Sequence, residues 1–313
     1  MSDGLDVRYP SSPENDGDRA TAIFSGAVLI YRALPAMHEL VDCLREITRQ
    51  EFGLSDPCMA ESELESTDFR HRAGCARKIV RENDDVARLY KAVLLEVGVD
   101  LAAIFYDHFK LRLQPSIDIS RTRYMRDLPA HRDTWGSNIH AQINWWAPIW
   151  PVNPDRTIGI FPALWDVPVA NTSAEWDYRE FMQQITADKN TGYPMLPQCV
   201  QPPPASEAVP IIIDPGDIMA FSGAHLHCSI PNQSGVARIS TETRTVSVHD
   251  LLHSRAAKNV DCNALDSQFD WFRNIETGEP LTGYVLGRDN KLPDPTDPPS
   301  NVSGRQPSQS QRW

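Results

Sequence analysis

The spacing of apolar residues divides the chain into a helical first part and a strand-rich second part. After residue 33, apolar side chains recur every three or four positions, as in Met37, Leu40, Val41, Leu44 and Ile47. A second stretch with this period, DDVARLYKAVLLEVGVDLAAIF over 84–105, begins with two acids, which a helix N-terminus favours. These patterns predict two long helices, each with one buried face.

After residue 110 the pattern changes to short strand-like segments separated by proline and glycine turns. The segments are LRLQPSIDISRTRY, NIHAQINWWAPIW, TIGIFPALW, VPIIIDPGDIMAFSG and ARISTETRTVSVH. Helices followed by strands predict a mainly β fold in which a helical layer covers one side of antiparallel sheets. A jelly roll, in which two sheets bury their inner faces and hold ligands in the mouth, is one solution.

The same patterns give the expected domain organisation. One domain is predicted over 21–289, with a helical layer at 34–110, a jelly-roll core at 111–250 and a C-terminal extension at 251–289. The ends, residues 1–20 and 290–313, are rich in Ser, Pro, Asp and Gln, and this composition predicts disorder.

Composition and charge limit the function classes. Lys and Arg number 30 against 42 Asp and Glu, a formal net charge of -12, which disfavours nucleic acid as a partner. No apolar run is long enough to span a membrane, and the polar N-terminus does not resemble a secretory signal. None of the six cysteines forms a C-x-x-C pair, so reduced thiols of a cytoplasmic protein are expected and a zinc site is not.

Candidate chemistry begins with His131 and Asp133, two positions apart in a segment expected to be extended. In such a segment, residues i and i+2 project from one face, so the imidazole and the carboxylate would share a space. The later string HLHCSIPNQSGVARIS adds His225 or His227. Two imidazoles and one carboxylate form the facial triad of non-haem Fe(II) oxygenases, which leaves coordination positions open.

An arginine follows at a spacing that suits a carboxylate ligand. Arg238 lies on the strand expected after His227, and Ser240 shares its face by alternation. A buried guanidinium binds a carboxylate through two hydrogen bonds, and a nearby hydroxyl adds another. The pair could hold the distal carboxylate of 2-oxoglutarate.

Together, H-x-D and the later H-x-S-x-x-N-x-x-x-x-x-R-x-S string resemble the Fe(II)/2-oxoglutarate oxygenases, and most closely the phytanoyl-CoA dioxygenase-like group. The resemblance covers about residues 110–250. It implies a double-stranded β-helix, that is, a cupin-like jelly roll. It also implies use of Fe(II), O2 and 2-oxoglutarate, oxidation of a C–H bond by hydroxylation, desaturation or cyclisation, and release of succinate and CO2.

The resemblance also assigns roles to residues of this chain. The implied metal ligands are His131, Asp133 and His227, with His227 preferred to His225 because its spacing to Arg238 fits the group. The implied cosubstrate residues are Arg238, Ser240 and Ser229, with Gln114 and Tyr124 as further candidates. Because Asp133 occupies the carboxylate position, halogenation is disfavoured.

Other side chains near these positions are candidates for the pocket. Trp135 follows Asp133 by two residues, and Gln142 and Asn144 share a strand face that could point to cosubstrate or substrate. His225 and Arg244 are further pocket candidates, although a structural ion pair is favoured for Arg244. The basic residues of one predicted helix form either a solvated face or an anion-binding lid: Arg70, Arg72, Arg77, Lys78 and Arg81.

The leading hypothesis is an oxygenase acting on a small metabolite, such as an amino acid or a derivative, in a biosynthetic pathway. One alternative is a cupin-type metal enzyme that does not use 2-oxoglutarate and would not need Arg238 and Ser240. Another is a non-catalytic jelly-roll binding protein. The oligomeric state does not follow from the sequence.

Overall fold

A computed structural model describes residues 4–11, 13–116, 125–186 and 193–286. In these residues, a large and a small β-sheet pack face to face, and helices cover the outer side of the large sheet. The predicted fold class, a jelly-roll core with N-terminal helices, is confirmed, although the sheets do not close into one barrel within the described residues.

The helices are α1 (Asp16–Phe24), α2 (Pro35–Phe52), α3 (Ala60–Glu63), α4 (Ser66–Glu82), α5 (Asp84–Glu96), α6 (Thr134–Ser137), α7 (Tyr178–Thr186), α8 (Val248–Leu252) and α9 (Leu281–Leu286). The strands are β1 (Val7–Arg8), β2 (Val28–Tyr31), β3 (Ile104–Tyr106), β4 (Lys110–Gln114), β5 (Gln142–Pro148), β6 (Ile158–Ile160), β7 (Val209–Pro210), β8 (Ile218–Ser222), β9 (His227–Ser229), β10 (Arg238–Ser247) and β11 (Arg273–Asn274).

Strand β10 connects most of the large sheet. The order of that sheet is β1-β2-β8-β5-β10-β3-β11, with β4 also paired to β10, and the small sheet has the order β7-β6-β9. The N-terminal half of β10 pairs with β4, and most of its length pairs with β5. The inner side of the large sheet contacts the small sheet through Trp146, Met219 and Phe221, which pack on Ile158 and Ile160. The site described below lies between the two sheets.

The predicted helical layer is confirmed for its main helix. Helix α2 begins with a proline, which suits the first turn, and ends at Gly53, whose φ of 67° is favourable for glycine. Met37, Leu40, Val41 and Leu44 are buried against the large sheet, as their spacing predicted.

The second predicted helix is wrong at its C-terminal end. Helix α5 ends at Glu96, and Gly98 follows with a φ of 84°, a conformation that stops the helix. Residues 104–106 instead form β3, which pairs with the end of β10. The apolar residues LAAIF also suit a helical period, but Leu101–Ala103 form a separate short 3-10 helix, and Ile104 and Phe105 belong to β3.

The expected disorder of residues 1–20 is also wrong for the part that the structure describes. Strand β1 pairs in parallel with β2, and α1 begins at Asp16. The Asn15 side chain accepts a hydrogen bond of 2.9 Å from the backbone N–H of Asp18, so the polar residues that suggested disorder form a helix cap.

The strand-like segments after residue 110 are confirmed as β4, β5, β6, β7, β8 and β10. The second half of the first segment, 117–124, and the tail 290–313 lie outside the described residues. The domain boundaries at 21 and 289 stay predictions. Among the helices that the structure describes, none combines the length and the apolar character needed to cross a lipid bilayer.

One buried acid in α8 predicts a pH-dependent stability. Asp250 is 2% exposed, and burial raises its pKa to about 6, although Arg255 opposes the shift. Because the folded state then binds the proton more tightly than the unfolded state, stability falls as pH rises from about 4 to 6.

The variant Asp250→Asn lacks this titrating group. We expect its free energy of unfolding, relative to that of the unaltered protein, to rise by roughly 2–3 kcal/mol over that interval. Urea unfolding at pH 4 and pH 7 measures the gain. Exposed Asp266, changed to Asn, is the control, and an equal response of both variants contradicts the prediction.

Candidate metal and cosubstrate site

Backbone pairing brings His131 and His227 together. The N–H of each residue donates to the carbonyl of the other at 3.0 Å. His131 thus forms an isolated antiparallel bridge with the first residue of β9. The two imidazole centroids lie 4.3 Å apart. Residues 131 and 227 are far apart in sequence, so this contact is a product of the tertiary fold.

Asp133 joins the two histidines by a different geometry from the one expected. Its φ of -63° and ψ of -29° are helical, and it lies at the N-cap of α6 rather than in a strand. Strand alternation was therefore the wrong reason for its position. The turn into α6 instead brings its carboxylate towards the imidazole, with 3.6 Å between Asp133 Oδ1 and His131 Nε2.

Three side chains offer ligand atoms that lie within 4.8 Å of one another: His131, Asp133 and His227. Nδ1 of His131 is 2.8 Å from the carbonyl oxygen of Pro129, and Nδ1 of His227 is 3.0 Å from that of His225. Carbonyls accept hydrogen bonds, so both Nδ1 atoms carry the proton and both Nε2 lone pairs are available to a metal. Burial, with the neighbouring His131, lowers the pKa of His227 to about 4, which keeps its imidazole neutral.

The Asp133 carboxylate is held on both sides. Asn144 Nδ2 donates to Oδ2 at 2.6 Å, and Gln142 Nε2 donates to Asn144 Oδ1 at 2.8 Å. Arg244 Nη1 lies 3.7 Å from Oδ1. Burial by itself would raise the pKa of Asp133, but the neighbouring His131 and the charge of Arg244 hold its pKa well below the usual value. The carboxylate is therefore ionised and oriented, as a metal ligand must be.

The contact between Asn144 and Asp133 gives a testable expectation. Replacing Asn144 with alanine removes the donor that fixes Oδ2, so we expect divalent-metal affinity to fall about 10- to 100-fold. Calorimetric titration with Ni(II) measures the change. Thr243→Val, on the same sheet, is the control for general damage to the sheet. Unchanged metal affinity in Asn144→Ala would remove the orienting role.

Arg238 is a buried cation whose hydrogen bonds are incomplete. It is 1% exposed, and its Nη1 donates to the carbonyl oxygen of Thr157 at 2.7 Å. Its Nε and Nη2, and the Oγ of buried Ser240, have no partner among the described residues. Burial, followed by the charge of Arg112, lowers the pKa of Arg238 to about 9, so it stays cationic at neutral pH. An uncompensated guanidinium with two unused donors fits a ligand carboxylate.

The other cosubstrate candidates lie near Arg238 to different degrees. Gln114 is its register partner on β4, donates to the Asp127 carboxylate, and leaves its own Oε1 without a donor among the described residues. Ser229 lines the same cavity as Arg238, and its Oγ accepts from the Leu128 N–H at 3.1 Å. Tyr124 lies outside the described residues.

One cavity of about 690 Å³ contains both parts of the site. Its walls include the three candidate ligands together with Asn144, Ser229, Arg238 and Arg244. This volume lies within the usual range for small-molecule sites, so a chelating cosubstrate and a small substrate can share it.

Three pocket candidates have structural contacts instead. Trp135 is fully buried, and its indole N–H donates to Asp261 at 2.6 Å. The His225 ring contacts that of Trp165, with centroids 4.3 Å apart, and its Nε2 is 3.1 Å from the Gly26 carbonyl oxygen. Gln142 contacts Asn144, as described above. None of the three is among the residues that line the main cavity. Gln142 thus contacts a residue of the site, whereas Trp135 contacts Asp261 and His225 contacts Gly26.

Sequence reasoning missed much of the polar lining. Asp107, in the loop after β3, accepts from Arg244 Nε at 2.6 Å and from the Arg244 backbone N–H at 3.0 Å. Lys110 and Arg112 on β4 also line the cavity, as does Glu242 on β10. Alternation from Gln114 along β4 places Lys110 and Arg112 on the cavity face, and alternation from Arg238 along β10 does the same for Glu242. Nothing in the local sequence distinguished Asp107.

Comparison with known proteins yields matches only among solved structures. No protein-family profile matches the chain, and no curated protein does. EvdMO1 is 17% identical with a TM-score of 0.30 over 53% of this chain and 31% of its own. EvdO2 of Micromonospora carbonacea var. aurantiaca, with 2-oxoglutarate bound, is 12% identical with a TM-score of 0.35 over 55% and 62%. EctD of S. alaskensis, with 2-oxoglutarate and 5-hydroxyectoine, is 12% identical with a TM-score of 0.41 over 90% of each chain.

The similar structures include proteins solved with 2-oxoglutarate. The match spans less than two thirds of EvdMO1 and EvdO2. At these identities and TM-scores, neither the family of this chain nor its substrate or reaction follows from the likeness.

Proposed function

We propose that this chain is a non-haem Fe(II)- and 2-oxoglutarate-dependent oxygenase that oxidises a C–H bond of a small metabolite. His131, Asp133 and His227 would bind the iron, and Arg238 with Ser240 would bind the distal carboxylate of 2-oxoglutarate. The observation that supports this most is that three convergent ligand atoms and a buried guanidinium with unused donors line one cavity.

The residues present fit these groups on chemical grounds. Two imidazoles and one carboxylate are the ligand set of a 2-His-1-carboxylate centre, which leaves positions for a chelating keto acid and for O2. When bound, the iron with O2 and 2-oxoglutarate supplies the oxidising chemistry, with succinate and CO2 as coproducts. The protein orients the ligands through Asn144 and the carbonyl acceptors, and it encloses the reacting groups between two sheets.

Hydroxylation of an amino acid or a derivative is the reaction proposed first, and desaturation and cyclisation are its variants. A cupin-type enzyme without 2-oxoglutarate is the second candidate. It is less well supported because Arg238 is buried with an incomplete set of acceptors, and a carboxylate ligand would complete it.

The proposal is tested with purified full-length protein under anaerobic conditions. Addition of Fe(II) and 2-oxoglutarate is expected to produce a visible charge-transfer absorption band, and neither component alone should produce it. After air is admitted, succinate is expected to form, even without substrate, at a slow uncoupled rate. A metal that binds without any band, and without succinate, would favour the cupin-type alternative. Absence of metal binding would favour the non-catalytic one.

A further inference from the structure

The cavity has a basic wall beyond the metal and cosubstrate residues. Helix α4 and strand β4 supply its cations: Arg77, Lys78, Arg81, Lys110 and Arg112. Two acids line the same region, Asp107 and Glu242. Positive charge is therefore in excess here, although the whole chain carries a net charge of -12.

The two acids contact the basic side chains of β4. Lys110 contacts the Asp107 carboxylate, and Arg112 Nη1 lies 3.6 Å from Glu242 Oε1. On α4, Arg81 is 3.6 Å from Glu82, but both side chains are about half exposed, and such surface pairs contribute little. Lys78 and Arg81 of α4 therefore carry positive charge at this edge of the cavity.

An aromatic wall stands at another part of the same cavity. It consists of Trp176, Tyr178 and Phe181 near α7, together with Trp271. Tyr178 and Trp271 meet edge to face with centroids 4.8 Å apart, and the Arg244 guanidinium lies 5.2 Å from the Trp271 ring centre. Such rings bind flat or apolar groups through large contact areas.

We propose that the substrate is an amphipathic anion, with a ring-containing or otherwise apolar body and a terminal phosphate or carboxylate. The body packs on Trp176, Tyr178 and Trp271, and the anionic group lies at the α4 edge near Lys78 and Arg81. This inference rests on the proposed function, because it concerns the substrate of that same cavity. Positive side chains at the entrance of the cavity attract anions even though the whole protein is acidic. Salt weakens this electrostatic attraction.

The test uses full-length protein loaded with Zn(II) and 2-oxoglutarate, so that no turnover occurs. Three probes that share a naphthalene ring are titrated by calorimetry: 1-naphthyl phosphate, 1-naphthoate and neutral 1-naphthol. We expect at least one anion to bind about tenfold or more tightly than 1-naphthol at low salt, since charge-assisted hydrogen bonds are the strong ones. The tighter of the two anions identifies the head group.

Matched charge reversals distinguish an effect of the α4 edge of the cavity from an effect of the net charge of the protein. The double variant Lys78→Glu with Arg81→Glu is expected to abolish the preference for the anion. The control, Arg88→Glu with Lys91→Glu on α5, makes the same change of charge at residues that do not line the cavity, and it should keep the preference. The neutral variant Lys78→Gln with Arg81→Gln should lose part of it.

Equal affinity for all three probes, absence of binding by all three, or a preference that survives the double reversal at α4 would overturn the inference. Binding of Zn(II) and of 2-oxoglutarate is measured on every sample. Their retention shows that each variant is folded. Failure of the unaltered protein to bind either one overturns the proposed function instead, and this result is distinct from the outcomes with the probes.

Discussion

Replacing His227 with alanine is expected to abolish tight binding of a single divalent ion, with affinity falling at least about 100-fold. The imidazole offers Nε2 to the same space as His131 and Asp133, and it is neutral because burial lowers its pKa. Loss of an orienting partner already costs about 10- to 100-fold, so loss of a ligand should cost at least as much. Titration with Ni(II), with ion stoichiometry by mass spectrometry, measures the effect.

His225 provides the matched control because it lies two residues away and is also buried. Its Nε2 faces the Gly26 carbonyl, its ring contacts Trp165, and it is not part of the group of three ligands. The variant His225→Gln keeps a donor for that carbonyl and should bind the ion with nearly normal stoichiometry. If the His225 variant lost the ion while His227→Ala kept it, the two histidines would have to exchange roles.

Arg238→Met is expected to weaken 2-oxoglutarate binding without lowering folding stability. The variant loses two donors to a carboxylate, so affinity for 2-oxoglutarate should fall at least about 100-fold. The protein without ligand should be as stable as before or more stable, because an incompletely paired buried charge is replaced by an apolar side chain of similar length. Thermal unfolding with and without 2-oxoglutarate, in the presence of Zn(II), measures both quantities.

Ser240→Ala serves as the graded comparison for Arg238→Met. It removes one neutral hydroxyl from the neighbouring position on the same face of β10, so we expect a loss of about 3- to 10-fold in affinity for 2-oxoglutarate. Metal binding should be unchanged in both variants. A stable Arg238→Met protein that still binds 2-oxoglutarate normally would mean that the guanidinium has another function, and the cupin-type alternative would then gain support.

Periodicity was informative where the two faces of an element have different surroundings. The apolar stripe of α2 follows from one buried side, whereas both faces of β5 and β10 are largely buried and differ in what they pack against. It failed at residues 101–106, where the same apolar residues suit a helix or a strand, and at residues 1–20, where polar caps resemble disorder. In both places, contacts with distant strands determine the outcome.

The candidate site was also only partly predictable. The residue types and spacing of the triad and of Arg238 identified them as candidates. The reason given for Asp133 was wrong, because a helical turn and not a strand directs its carboxylate. Trp135 seemed suited to the pocket because it follows Asp133 by two residues. In the turn this rule does not hold, and its indole instead binds Asp261 beneath the site.

The sequence by itself determined the chemistry that this protein can offer: two imidazoles, an acid and an arginine at spacings that fit successive elements of a jelly roll. The tertiary structure alone decided which histidine meets Asp133, what holds the carboxylate, and that basic and aromatic walls share one cavity. The reason is physical. Side-chain type and local period are written along the chain, whereas the backbone pairing between residues 131 and 227, and the burial that lowers the pKa of His227, arise only when distant segments pack together.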